Sequence, residues 1–313
     1  KGGLSTEKGG TGGAAFGAGL ANAGILLLTN CTLSENIAGG GTGGDGGKPT
    51  TGRGGDGGLG GSAHGASVSQ DSGSAIITSC TISGNQSLAG SGGVGATGGG
   101  TLGPGGANSG GVFSAGNVQV ENCIMAGNSA TNYPDVDGTV QSGGFNLVGI
   151  SDGSTGWLVA EAGNLGNSSF PINPKLGPLQ NNGGTTPTLA LLSGSPAVDQ
   201  GESFSLATDQ RNFARPEDNV SIANASGGDG SDIGAYEVVV APTPPVLSST
   251  VYGNQQFQFL LTGQPGANYA IQVTTNLVSA NWSSIFTNIS PFTFVESNAN
   301  SFTRRFYRGV SSP

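Results

Sequence analysis

Thr29-Asn30-Cys31-Thr32-Leu33-Ser34-Glu35-Asn36, Thr78-Ser79-Cys80-Thr81-Ile82-Ser83-Gly84-Asn85 and Glu121-Asn122-Cys123-Ile124-Met125-Ala126-Gly127-Asn128 are three copies of one phrase. Each follows a strand-like alternating run: Ile25 to Leu28, Ala75 to Thr78 and Val118 to Glu121. Farther upstream lie small-residue stretches that end near an aromatic or aliphatic side chain, clearest in Gly12-Gly13-Ala14-Ala15-Phe16 and Gly110-Gly111-Val112-Phe113. From Gly12 to Ala38, and again from Gly110 to Thr131, one unit takes about two dozen residues, a length that suits one coil of a parallel β-helix. Equivalent residues in such a fold stack about 4.8 Å apart. The expected fold class is therefore all-β: a right-handed parallel β-helix with glycine-rich insertions, followed by a small antiparallel β-sandwich domain.

The repeat bears directly on the three cysteines. An odd number of cysteines in a protein expected outside the cell leaves a disulfide pair, a metal site or a buried ladder open. The ladder is favoured, because a small side chain at the same inward position of each coil stacks on itself and free cysteine is commonly buried. No CxxC or His-rich spacing accompanies the thiols, so no metal ligand is assigned. The asparagine that closes each copy (Asn36, Asn85, Asn128) is expected in a turn, satisfying backbone groups and tolerating left-handed geometry.

Between the copies lie Gly39 to Gly61, with 14 glycines in 23 residues, and Gly90 to Gly111, with 12 in 22. Gly54-Gly55-Asp56-Gly57-Gly58-Leu59-Gly60-Gly61 repeats with a period of three, which suits threefold extended helices of the polyproline II type, packed through rows of glycine. A flexible linker is the alternative. Ordered insertions, bundled against each other or pinned by neighbouring subunits, are the favoured reading. Asp45, Asp56, Asp229 and Asp232 lie among flexible oxygens but do not match a calcium-binding nonapeptide. No phosphate-binding loop is present, since no strand-Gly-helix context or GK[ST] ending exists.

Composition narrows the partners. The chain holds 61 glycines in 313 residues, roughly three times ordinary usage, and only 9% charged residues with a net charge of -9. No Lys/Arg run is present, which disfavours nucleic acid and anionic lipid. No apolar run is long enough for a membrane span. The sequence starts at Lys1 without methionine, and removal of an export signal or other upstream sequence is the expectation.

After the third copy, Gly143-Gly144-Phe145-Asn146-Leu147-Val148-Gly149 reads as a plainer fourth coil. Then come Asn173-Pro174-Lys175-Leu176-Gly177-Pro178-Leu179, Gly194-Ser195-Pro196-Ala197-Val198-Asp199, Thr208-Asp209-Gln210-Arg211-Asn212-Phe213-Ala214-Arg215-Pro216 and Asp232-Ile233-Gly234-Ala235-Tyr236-Glu237. In this ordered run of motifs the chain resembles bacterial surface proteins whose β-helix ends in a choice-of-anchor type Q region, related in style to polymorphic outer-membrane protein repeats. The resemblance covers roughly residues 12 to 238. It implies a secreted right-handed β-helix of bacterial origin and no known reaction; the sorting tail that follows this region in such proteins is not part of the sequence. Asp209, Arg211, Arg215 and Asp232 are read as a local network holding a segment that caps the open end of the helix.

At Ala241-Pro242-Thr243-Pro244-Pro245 the composition shifts, with only four glycines in residues 241 to 313 and short alternating strands thereafter. The run Gly263 to Tyr269, with Trp282 and Arg305-Phe306-Tyr307-Arg308, resembles a C-terminal module of exported bacterial proteins. Trp282 and Tyr307 are read as core in preference to a sugar-stacking platform. The expected organisation is a glycine-rich β-helix over 1–157, an irregular closing region over 158–240 and a sandwich over 241–313.

No catalytic, cofactor or metal residue is assigned. The only histidine, His64, lies in a glycine-rich insertion without an obvious partner. The expected function is that of an extracellular or cell-surface structural protein, self-associating into a homopolymer such as a filament, sheath or layer. A surface adhesin or glycan-binding protein is the alternative, and a polysaccharide lyase the least favoured.

Overall fold

The computed structural model describes residues 7–49, 51–158, 164–240, 242–279 and 281–312. The chain is all-β, 38% strand, with no α-helix among the described residues. It divides into two compact units, Lys1–Val239 and Val240–Pro313.

The first unit is organised by parallel pairing between the sequence repeats. Ile25–Thr29 pairs with Ser74–Thr78, which pairs with Val112–Glu121, which in turn pairs with Val136–Gly144. Just beyond the cysteines, Thr32–Ser34, Thr81–Ser83, Ile124–Met125 and Leu147–Val148 form a second parallel sheet, in the register Thr32↔Thr81↔Ile124↔Leu147. Corresponding inward residues stack rung on rung: Leu28, Ile77 and Val120, then Cys31, Cys80 and Cys123, then Leu33, Ile82 and Met125. Their β-branched and aliphatic side chains suit a pleated surface buried on one face.

The turn before each cysteine repeats as faithfully as the strands. Asn30, Ser79, Asn122 and Phe145 all have positive φ, near 50°. The register places Asn146 of the fourth repeat where the first three carry cysteine, and its Oδ1 accepts the Cys123 N–H at 3.0 Å. The asparagines that close the copies form a ladder of their own. Nδ2 of Asn36 donates to Oδ1 of Asn85 at 2.8 Å, Asn85 likewise to Asn128 at 2.8 Å, and Asn128 to Asp135 at 2.9 Å. The left-handed residue of that turn is not the asparagine, as expected, but its predecessor: Glu35, Gly84 and Gly127 have positive φ. Asparagine is selected there for its side-chain amide, not for its backbone tolerance.

Of the expected closing region, Leu165 and Gly166 meet the last repeat at Val148, while much of the rest lies along the side of the repeats. Ile233, Ala197 and Leu191 pack with Ile124 and Leu147, covering the outward face of the second parallel sheet. Asn30 donates to the Thr208 carbonyl at 2.8 Å, the Ala235 N–H donates to Thr81 Oγ1 at 3.0 Å, and the Gly234 N–H to the Asn122 carbonyl at 2.9 Å. The segment is thus a strap along the side of successive repeats. Gly234 makes this close approach possible: its φ is 100°, and a Cβ there would lie 2.7 Å from Thr81 Oγ1. At its start the same segment meets the last repeat, where Leu165 bridges to Val148 and packs on the core beside Trp157.

The second unit holds two three-stranded antiparallel sheets, Val246–Gly253/Gln256–Thr262/Phe292–Glu296 and Ser283–Ile289/Asn268–Thr274/Phe306–Ser311. Phe259, Leu261, Tyr269, Ile271, Phe292 and Phe294 form one core, with Tyr307 against it.

Candidate assembly surfaces

The glycine-rich insertions form an ordered bundle held by backbone hydrogen bonds at every third residue. Five extended segments take part, running near 7–16, 38–47, 54–63, 88–96 and 99–107. Gly9 and Gly12 donate to Asp56 and Leu59, and Gly57 and Gly60 donate to Gly100 and Gly103; these three segments run parallel in one layer. Gly43 and Gly46 donate to Ser91 and Val94, giving a second parallel pair. The layers meet antiparallel: Gly55, Gly58 and Gly61 donate to Gly47, Gly44 and Gly41.

Segment 54–63 lies in the middle, and its composition follows from that position. A Cβ on Gly58 would stand 1.9 Å from the Gly10 carbonyl oxygen, and one on Gly57 would stand 1.9 Å from that of Gly93. Two residues in every three therefore face neighbouring backbone and admit no side chain. The third, at Asp56 and Leu59, has room for a side chain and is half to fully exposed. The bundle is continuous with strands of the repeats, through Ala15–Phe16, Ala63–His64 and Ala107–Asn108 in one layer and Ile37–Gly39 with Gln86–Leu88 in the other.

At the outer margin the requirement lapses. Gly10, Gly13, Gly39 and Gly103 would carry a Cβ with nothing within 4 Å. A second open margin is the first repeat, whose strands pair on one side only among the described residues. Ile25 is 84% and Leu27 67% exposed on its outer face, while Leu20, Leu26, Leu28, Cys31 and Leu33 are only half-buried where their stacked equivalents are fully buried. Unpaired, apolar strand edges are templates for association.

The residues singled out from sequence occupy structural positions. Cys31, Cys80 and Cys123 are free thiols in the ladder. A hydrogen bond from Cys80 brings the half-buried Cys31 down to about 6, whereas burial drives the enclosed Cys80 thiol well up. His64 stacks between Phe16 and Phe113, with ring centroids 5.4 and 5.1 Å away. Asp45 accepts the Val94 N–H and Asp56 the Gly100 N–H, pinning bundle segments, while Asp229 accepts from Ser203 and Ser231. No cluster of metal-ligating side chains occurs among the described residues.

In the strap, Asp209 and Arg211 pair at 2.7 Å and Arg215 and Glu237 at 2.9 Å, all four buried. Asp209 also accepts the N–H groups of Arg211, Phe213 and Glu237, and Arg211 lies 3.5 Å from the Tyr236 ring centroid and donates to the Glu237 carbonyl. Burial pushes Asp232 up to about 6 and, against the pull of Arg215, Glu237 up to about 8. These charges brace a segment that has few strands of its own. Tyr307 packs on Phe257 and Phe259 at the core, but Trp282, expected there too, stands outside it, half-exposed under the Arg308 guanidinium at 4.4 Å.

Sequence reasoning did not find the aromatic stack around His64 or the carboxylate that ends the asparagine ladder. Phe16, His64 and Phe113 become neighbours only through the intervening insertions. Asp135 lies seven residues beyond Asn128, outside the repeated phrase. A scan against protein-family models and searches of curated proteins and of solved structures found no match to the chain. No helix among the described residues is long and apolar enough to cross a membrane.

Proposed function

We propose that this chain is an extracellular structural protein that self-assembles into a bacterial cell-surface filament, sheath or layer. In this reading the stacked repeats wind as a right-handed parallel β-helix of the choice-of-anchor Q kind, the insertions adopt the polyglycine II arrangement, and residues 240–313 form a β-sandwich.

One observation carries the reading: glycine persists where nothing inside the chain demands it. Inside the bundle a Cβ would strike a carbonyl oxygen, but at Gly10, Gly13 and Gly103 it would meet nothing within 4 Å. Any residue would fit there in an isolated molecule. Bare backbone at those positions lets another chain's backbone come as close as the internal segments do, with N–H groups left to bond it, since the carbonyls of Gly10, Gly13 and Gly103 already accept from Gly44, Gly41 and Gly60. The apolar edge at Ile25 and Leu27 supports the same reading independently. No catalytic residue is assigned.

The test is imaging of purified protein by negative-stain and cryo-electron microscopy over a concentration series, with sedimentation in parallel. Repeating assemblies are expected, and Gly10→Leu with Gly13→Leu should yield folded, dispersed molecules. Wild-type protein that stays monomeric at high concentration sinks the proposal, as does a double variant that assembles like wild type.

A further inference from the structure

Charge is divided unequally along the chain. Residues 240–313 contain three arginines, Arg304, Arg305 and Arg308, with Glu296 as the only acidic residue, whereas the remainder holds 7 basic and 18 acidic residues. The arginines fall within five positions of one another. Two of them are spoken for: Arg305 pairs with Glu296 at 3.2 Å and lies 4.1 Å from the Phe302 ring centroid, and Arg308 donates to Gln272 at 2.7 Å over Trp282. Arg304 is exposed and makes no hydrogen bond or ion pair among the described residues.

Arg304 borders a hollow of about 530 Å³, and a neighbouring hollow of about 470 Å³ shares Thr275, Asn276 and Phe302 with it. Phe302 is the aromatic where they meet, and it remains 37% exposed. Around it stand Thr275, Ser301 and Thr303, whose hydroxyls have no partner among the described residues, and Asn276, whose Oδ1 accepts the Val278 N–H while its Nδ2 is unspent.

We infer that this groove binds an acidic saccharide, a polymer or oligomer whose pyranose rings carry carboxylate groups. The three features match three parts of such a ligand. The Phe302 ring has Arg305 over one face and offers its remaining exposed surface to the C–H side of a sugar ring, the hydroxyl and amide side chains bond its hydroxyls, and the unpaired guanidinium takes its carboxylate in a charge-assisted contact. An acidic peptide or the carboxylates of a second copy would engage Arg304, and peptide groups can bond the hydroxyls, but neither brings the C–H side of a sugar ring to Phe302. A neutral sugar would leave the arginine unused. The inference does not rest on self-assembly, and it takes Phe302 as the saccharide-facing aromatic: Phe302 and Trp282 each lie under an arginine, but Phe302 is exposed whereas Trp282 is only half-exposed and Tyr307 packs against the core.

The experiment is a titration of the whole ¹⁵N-labelled chain with tetragalacturonate, with cellotetraose and with tetraglutamate, followed by chemical shift and calorimetry. Tetragalacturonate should move resonances of Thr275, Asn276 and Phe302 to Arg305 and weaken with added salt. Phe302→Ala and Arg304→Gln should each lower affinity roughly tenfold or more, while Trp282→Ala leaves it unchanged. Arg304 is exposed, so its variant tests the site without disturbing the core. No binding up to about 10 mM overturns the inference. So does equal binding of cellotetraose or of tetraglutamate, and so does an Arg304→Gln variant that binds as the wild type does.

Discussion

The stacked repeats and the glycine bundle are built with the same bond, backbone N–H to backbone C=O, but they exclude water by opposite means. In the repeats, inward side chains fill the space between sheets, and Ile77, Ile82, Val120 and Cys123 are fully buried. In the bundle there is no such filling: segments approach until a Cβ would lie about 2 Å from a neighbouring carbonyl oxygen. One region gains from the apolar area it buries. The other gains mainly from satisfied backbone and close contact, against the large entropic cost of ordering glycine. The bundle therefore needs anchoring at its ends, and the repeats supply it through the strands Ala63–His64 and Gln86–Leu88.

Substitution breaks the two regions in opposite directions. Removing volume should harm the repeats: Ile82→Ala leaves a cavity on the thiol and methionine rungs and should cost about 3–4 kcal/mol, read as a drop in denaturant midpoint. Adding one methyl group should harm the bundle: Gly58→Ala must displace the Gly10 carbonyl and should cost about 3 kcal/mol, with amide exchange accelerating in segments 7–16 and 54–63. If Gly58→Ala proves neutral, the tight packing assigned to the bundle is wrong. Gly103→Ala is its internal contrast and should change monomer stability by no more than about 0.5 kcal/mol.

The asparagine ladder lies between these extremes, because it fixes the repeats through side-chain amides. Asn85→Ala leaves the Asn36 amide and the Leu33 carbonyl without partners and opens the Asn128 end of the ladder. A loss of about 2 kcal/mol is expected, smaller than for Ile82→Ala. Asn36→Ala at the open first repeat should cost less, since water replaces what is lost there.

How much of this was legible depended on whether a position's reason was local. The thrice-repeated phrase around Cys31, Cys80 and Cys123 predicts stacked parallel strands, and the pairing Thr29↔Thr78↔Glu121 follows it residue for residue. The period of three glycines gave ordered, close-packed segments. It could not give their order, because a glycine facing a neighbour and one facing solvent are the same letter. The path of the closing region along the side of the repeats was not legible for a similar reason: Ala235 and Gly234 are defined by Thr81 and Asn122, more than a hundred residues away. Trp282 and Phe302 could not be ranked from sequence, since each lies under an arginine and only the fold leaves the second the more exposed.

Asp135 gives the gentlest test of the comparison, because it asks how the side-chain ladder ends. Asn85 and Asn128 each both donate and accept, so the last position must accept from Asn128 without offering a proton into the next N–H, that of Ile150 at 2.8 Å. A carboxylate does this and an amide does not. Burial raises the Asp135 carboxyl to about 6 in spite of those hydrogen bonds. Its folded value exceeds the ordinary 3.8, so the folded state holds the proton more tightly. The associated stability is complete below about pH 4 and is lost as pH rises through about 6. Between pH 5 and pH 8 the loss from this group should be about 1.5 kcal/mol, measured by urea unfolding, with Asp232 adding to the same slope. Asp135→Asn should reduce that slope and lower stability at pH 8, where the ionised carboxylate accepts from both Asn128 and Ile150 and an amide would oppose the Ile150 N–H. A variant with the wild-type slope would show that Asp135 does not carry the proton, and that the ladder ends on a carboxylate for its geometry alone.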